Sequence, residues 1–292
     1  MKEDRLKTVK VSGADFHYTE SGSGDPVVLV HGSLSDYRSW GLQQKFLSRR
    51  YHVIAYSRRY HYPNAWVGDG SDYSVALHAR DLAGIIRALR LGPVRLIGSS
   101  YGAYTALLTA AAHPELVRAL VIGEPPIFPL LKKDPEGARL LRHFLDTAWL
   151  PSKKAFQAGD LERGVELFYE GITGPGSFDK LSMSVRTGML KNAPQMKTET
   201  ITPNNLSHFG RREARKITMP CLLLNGEKSP RIFYRITDIL EHWLTHAERK
   251  IIPAASHSMH SHNPRAYNET VLKFLLHHEA RPAAQAKALL RE

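Results

Sequence analysis

The chain is short of cysteine, of acidic charge and of long apolar runs, and each shortage excludes something. Its one cysteine in 292 residues, Cys221, cannot close an internal disulfide, so the fold must be held by its own core. Cys221 opens a strand-like run, residues 221–224, and reads as a small buried hydrophobe rather than a rival nucleophile. No apolar stretch approaches the ~18 residues of a membrane span. Residues 1–7 carry charge with no apolar run behind them, which argues against a signal peptide and makes the cytoplasm the expected compartment. Acidic residues number 28 against 40 lysines and arginines, a formal charge of +12 that raises the question of an anionic partner. The excess is scattered as pairs such as Arg49 and Arg50, with one denser group at Arg211, Arg212, Arg215 and Lys216 and no nucleic-acid motif beside it. It reads as solvated surface, with neither nucleic acid nor membrane expected as a partner, while a bias towards anionic substrates stays open. Repeats, low-complexity blocks and flexible linkers are also missing. Nothing in the sequence speaks to oligomeric state.

What is there is a globular composition, 42% apolar and 23% charged, in a chain long enough for one large core with an insertion. Short β-type runs alternate with helical ones over the first 130 residues, the pattern of a mostly parallel sheet flanked by helices. Residues 8–11 and 16–19 read as an antiparallel pair around Gly13, and 27–30 and 53–56 as buried strands. Leu82, Ile85, Ile86 and Leu89 fall at i, i+3, i+4 and i+7, predicting a helix over 74–91 that ends at Gly92-Pro93. A strand at 94–97, a helix at 101–112 and a strand at 117–122 follow. From 125 to 216 the β signal gives way to helical patterns such as 161–172 and 181–190, predicting a helical cap between the two parts of the core, 1–124 and 217–292. Alternation then resumes, with strands at 221–224 and 250–252 and helices at 232–244 and 265–276. The Ala- and charge-rich tail from Glu279 is expected to fray.

The chemistry centres on Gly98-Ser99-Ser100-Tyr101-Gly102, where an apolar strand runs straight into a helix. G-x-S-x-G in that setting makes a nucleophile elbow, a turn too sharp for side chains at the flanking positions, which presents the middle serine to solvent. A serine hydroxyl is a feeble nucleophile at neutral pH, so Ser100 needs a base within reach and a group to orient that base. His257, in the loop after the strand at 250–252, is the best base. His260 and His262 are its neighbours, and a three-histidine metal site is disfavoured because the loop holds no further Cys, Asp or Glu. No metal or cofactor is therefore expected.

His31-Gly32-Ser33 after a buried strand, Arg59 in Tyr56-Ser57-Arg58-Arg59-Tyr60, the elbow at Ser100 and the loop at His257 together resemble the α/β-hydrolase superfamily over about residues 15–276. The resemblance implies an oxyanion hole formed by the backbone amides of Ser33 and Tyr101, two donors each worth about 3 kcal/mol at the transition state. It also exposes a departure. Most relatives carry an aspartate three residues past the glycine that ends the strand after the cap, where Gly226-Glu227-Lys228-Ser229 places a serine. Glu227 and Glu124 are the substitutes. Glu124 is favoured, because it tops the strand next to the elbow strand, and a minority of relatives, among them the fungal zearalenone lactonases, resemble this chain in carrying a glutamate there.

The cap is rich in bulky groups, Phe128, Leu131, Phe144, Trp149, Phe156, Phe168, Met183 and Met189, most of which are expected to pack it against itself and only a few to face the cavity. Leu34, Tyr101 and Met259 each closely follow a catalytic or oxyanion element and are expected to line the substrate pocket. The resemblance thus implies a serine hydrolase acting on a medium-sized, partly apolar ester or lactone. A cofactor-free perhydrolase or haloperoxidase is the alternative within enzymes, and a ligand-binding receptor on the same scaffold the alternative outside them. An aspartate-dependent dehalogenase or epoxide hydrolase is disfavoured by the serine at the elbow.

Overall fold

The computed structural model describes residues 5–203 and 205–279. The apolar runs become the centre of one eight-stranded sheet: β1 (Lys7–Val11), β2 (Ala14–Ser21), β3 (Pro26–Val30), β4 (His52–Tyr56), β5 (Val94–Ser99), β6 (Val117–Gly123), β7 (Cys221–Gly226) and β8 (Ala247–Ile252). Their order is β1-β2-β4-β3-β5-β6-β7-β8. β1 and β2 are antiparallel, β2 is antiparallel to β4, and every later pairing is parallel. β5 and β7 are buried at every position, as strands covered on both faces must be.

Alternate side chains serve opposite faces of the sheet. Val28, Val30 and Leu96 enter a cluster shared with α2 (Val75–Ala88), α3 (Tyr101–Ala112) and the helices after β6, whereas Val27, Leu29 and Ile97 enter a second cluster with α1 (Gly41–Leu47) and α12 (Pro264–His277). α2 starts where its cap allows: Ser74 Oγ accepts the Leu77 N–H at 3.2 Å. α12 is capped by Asn263, whose Oδ1 accepts the Ala266 N–H at 3.1 Å.

Between β6 and β7 lie α4 (Pro135–Phe144), α5 (Leu150–Gln157), α6 (Leu161–Thr173), α7 (Met183–Lys191), α8 (Ala193–Ile201) and the short α9 (Arg211–Ala214), with no strand among the described residues. A π-helical turn, Leu145–Trp149, joins α4 to α5. After β7 come α10 (Arg231–Trp243) and, beyond β8, the one-turn α11 (Met259–His262). Among the described residues no helix is long and apolar enough to cross a membrane.

The structure bears on three local expectations. β8 spans six residues rather than three, because its polar half, Ala247 to Lys250, pairs with β7 at the sheet edge, where one-sided burial does not demand an apolar run. Met183, the first residue of α7, is 83% exposed rather than packed within the cap. At Glu279, where the tail expected to fray begins, the carboxylate takes Arg50 Nη2 at 2.7 Å and the Tyr51 hydroxyl at 2.7 Å. The rest of the predicted tail, 280–292, lies outside the described residues.

Candidate active site

β5 ends at Ser99 and α3 begins at Tyr101, leaving Ser100 alone at the turn with φ of 54° and ψ of −124°. A non-glycine residue there is strained, and the surrounding glycines explain how the turn is tolerated. A Cβ on Gly102 would sit 2.2 Å from the Val30 carbonyl oxygen, and one on Gly98 2.6 Å from the Ala103 Cα, so neither position admits a side chain. The backbone N–H of Ser100 donates to the Gly123 carbonyl at 2.7 Å, which ties the turn to the end of β6.

Glu124 follows immediately, also at positive φ (48°), and is fully buried. Its Oε1 accepts the Gly226 N–H at 3.0 Å and Asn225 Nδ2 at 3.2 Å, both from the end of β7. Its Oε2 lies 2.7 Å from His257 Nδ1. With one oxygen fixed by β7 and the other facing the ring, the carboxylate sets the tautomer: Nδ1 carries the proton and Nε2 presents a lone pair. Nε2 is buried and has no hydrogen-bond partner among the described residues. Phe233 stacks on the imidazole at a centroid distance of 4.2 Å. The other candidate acid, Glu227, is engaged elsewhere, its Oε2 accepting the Ala254 N–H at 2.7 Å.

The neighbouring histidines are likewise committed. His260 packs on Trp40 at 4.5 Å between centroids, with burial pushing its pKa down to about 4, and His262 Nδ1 accepts the Ser256 N–H at 3.1 Å. No group of three or more potential metal ligands occurs among the described residues.

On the opposite loop, Gly32 approaches the elbow so closely that a Cβ there would stand 3.1 Å from Ser100 Cβ and 3.7 Å from its Oγ. This loop is clamped from behind. Arg58, 1% exposed, donates Nε to the His31 carbonyl at 3.0 Å and Nη2 to the Gly32 carbonyl at 3.1 Å. His31 Nδ1 donates to the Gly32 carbonyl at 2.8 Å, while its Nε2 accepts the Arg58 backbone N–H at 2.9 Å. Both ring nitrogens are used by the neutral form, and burial lowers the His31 pKa to about 3. Arg59, singled out in the sequence, instead makes a buried bidentate pair with Asp81 at 2.7 Å. Ser33 follows the clamped segment, and the Tyr101 amide belongs to the first turn of α3, where N–H groups have no partner within the helix.

Ser33, Ser100 and Tyr101 line a narrow cavity of about 20 Å³, walled by Phe128, Phe144, Trp149, Phe168 and Phe233, with further apolar groups and Glu199. That volume holds about one water, so the aromatic wall has to part before a substrate enters. Leu34 and Met259 are not in its wall. Leu34 is buried in the core cluster on the α2 and α3 side, and Met259 lies in the cluster on the other face, its methyl packed against Gly123. Proximity in sequence to a site residue did not translate into exposure to the cavity.

The chain from residue 27 to residue 270 matches the model of the alpha/beta hydrolase family. The protein belongs to that family. Among curated members it is 30% identical over 277 residues to a non-heme haloperoxidase from Rhodococcus erythropolis, covering 90% of this chain and 96% of the relative. It is 32% identical to an uncharacterized hydrolase from Bacillus subtilis (strain 168) over 124 residues, 42% of this chain and 46% of that one. An enol-lactonase from Burkholderia xenovorans LB400 shares the alpha/beta hydrolase fold with a TM-score of 0.72 at 19% identity, covering 92% of this chain and all of the other.

Sequence reasoning missed four site residues of this family member: Asn225 and Gly226, which hold Glu124, Phe233, which packs the imidazole, and Glu199. Gly226 carried a signal, since the loop after it is where most relatives place the acid. Glu199 carried none, as it reaches Ser33 across 166 residues of chain.

Proposed function

We propose that the protein is a serine hydrolase that cleaves a medium-sized, partly apolar carboxylic ester or lactone through an acyl-enzyme intermediate. Ser100 attacks the carbonyl while His257 Nε2 takes its proton. Glu124 orients the ring and stabilises the imidazolium, and the amides of Ser33 and Tyr101 bind the oxyanion. The imidazolium then protonates the leaving alkoxide. Water, deprotonated by His257, releases the acid and restores Ser100. The observation that carries this reading is the 2.7 Å contact between Glu124 and His257 Nδ1, with the opposite ring nitrogen buried and unpartnered. Nε2 makes no hydrogen bond to Ser100 Oγ in this structure, so the proton transfer requires the two to close up in the substrate complex. The aromatic wall supports a partly apolar substrate, and the fold shared with an enol-lactonase is compatible with a lactone.

The test is a panel of p-nitrophenyl esters and lactones assayed beside labelling with an organophosphonate. Turnover together with stoichiometric labelling that disappears in Ser100→Ala supports the reading, and full labelling of Ser100→Ala ends it. The likeness to a haloperoxidase over nine-tenths of the chain favours a second reading, a perhydrolase in which hydrogen peroxide releases the acyl group in place of water. Peroxide-dependent halogenation exceeding ester hydrolysis would select it.

A further inference from the structure

Glu199 is an acid inside the cavity that the mechanism does not use. It sits on α8, is 3% exposed, and lines the same space as Ser33, Ser100 and Tyr101. Ser33 Oγ lies 2.7 Å from Oε1 and 2.8 Å from Oε2 and shares its one proton between them. Oε2 also accepts the Tyr73 hydroxyl at 2.9 Å and Gln195 Nε2 at 2.7 Å. A carboxylate has about four acceptor positions. Tyr73 and Gln195 fill Oε2, whereas among the described residues Oε1 has only the shared Ser33 proton and keeps an acceptor position free. Burial pushes the Glu199 pKa up, and the nearby Arg58 guanidinium with the Ser33, Gln195 and Tyr73 donors opposes that shift. Among the described residues no lysine, arginine or histidine lines the cavity wall. An anionic substituent would therefore meet an acid with no cation in the wall itself, Arg58 lying behind Glu199 and already opposing its charge, although the protein as a whole carries a formal +12.

We propose that Glu199 is the specificity-determining acceptor of this cavity: Oε1 receives a hydroxyl or N–H borne by the acyl group within two carbons of the scissile carbonyl, and the carboxylate rejects acyl groups carrying a second carboxylate there. The placement beside the carbonyl follows from the Ser33 contact, since the same residue supplies an oxyanion amide, and to that extent the proposal rests on the hydrolase reading. Recognition by one buried acceptor discriminates because a substrate without the donor leaves the acceptor unpaired.

The experiment separates the two ideas by measuring binding without turnover. Ser100→Ala protein is titrated calorimetrically with methyl phenylacetate, methyl mandelate, methyl α-methoxyphenylacetate and monomethyl phenylmalonate, and with methyl 3-phenylpropanoate beside its 3-hydroxy derivative. The expected result is about tenfold tighter binding of at least one hydroxylated ester than of its unsubstituted and methoxy partners, and at least about tenfold weaker binding of the malonate half-ester. In the Ser100→Ala background, Glu199→Gln, which keeps the volume and most of the hydrogen bonds, should relieve the penalty on the half-ester. Equal affinities within both series, tighter binding of the half-ester, or no binding by any ester overturns the proposal, and the discrimination within the Ser100→Ala protein decides it even if the Glu199 variant does not fold. Turnover of the same esters by wild-type protein is read separately, so a failed hydrolase reading shows as binding with discrimination but no cleavage.

Discussion

Two buried carboxylates belong to the surroundings of Ser100, and they are held in opposite ways. Glu124 comes from the end of a core strand, and its anchors are a backbone amide and an asparagine at the end of the neighbouring strand. Glu199 comes from a helix of the insertion, and its anchors are side chains: Ser33, Tyr73 and Gln195. A group fixed by sheet hydrogen bonds keeps its place whatever the insertion becomes, as is needed to orient a base within tenths of an ångström. A group fixed by side chains from a helical insertion can be exchanged without disturbing the sheet, as suits a determinant of substrate choice. One carboxylate faces an imidazole and the other faces the cavity.

The comparison can be broken in several places. The largest effect is expected at the group between the two carboxylates: Ser100→Ala should lower ester turnover by about 10⁴-fold or more, read as initial rates with unchanged melting temperature. Next is Glu124→Gln, which keeps the shape but loses the charge and permits the wrong tautomer of His257, for an expected loss of roughly 10³- to 10⁴-fold in kcat. Glu227→Gln should change kcat by no more than about twofold, since the residue only braces the Ala254 amide. A large loss in Glu227→Gln with a small one in Glu124→Gln would reverse the assignment. Glu199→Gln should move ratios between substrates by about tenfold, a smaller effect of a different kind.

The smallest effect concerns acid. His31, His61 and His78 are buried, and their pKa values are held down by burial and by the Arg58 charge, His31 at about 3. The neutral ring is favoured in the fold, so protons bind the unfolded chain first. Their contribution to stability is complete above the ordinary histidine value of 6.5 and is lost as pH falls from there towards about 3. The melting temperature should decline through that window. His78→Phe, at a ring whose two nitrogens make no hydrogen bond among the described residues, should reduce the slope by about one proton. An unchanged slope would show that His78 is not among the groups responsible.

Much of this was legible in the residues. The elbow at Ser100 could be read because strand, turn and helix are contiguous, and the turn's sterics demand glycine at two fixed offsets. The central strands could be read because burial on both faces forces unbroken apolar runs. Leu34 and Met259 show the limit of that reasoning: both adjoin site residues in sequence, yet each turns into the core. Arg58 and Arg59 are adjacent and chemically identical, and only the structure shows that Arg58 clamps the loop before Ser33 while Arg59 pairs with Asp81.

The sequence by itself determined the order of strands and helices, the single sharp turn and its serine, because those depend on neighbours within a few residues of one another. The tertiary structure decided which carboxylate meets His257 and that a second one enters the cavity. Those contacts join residues 133 and 166 positions apart, and no periodicity or local propensity carries information over such distances. They exist because the sheet brings the ends of β5, β6 and β7 to one edge, and α8 packs close enough for Glu199 to reach Ser33.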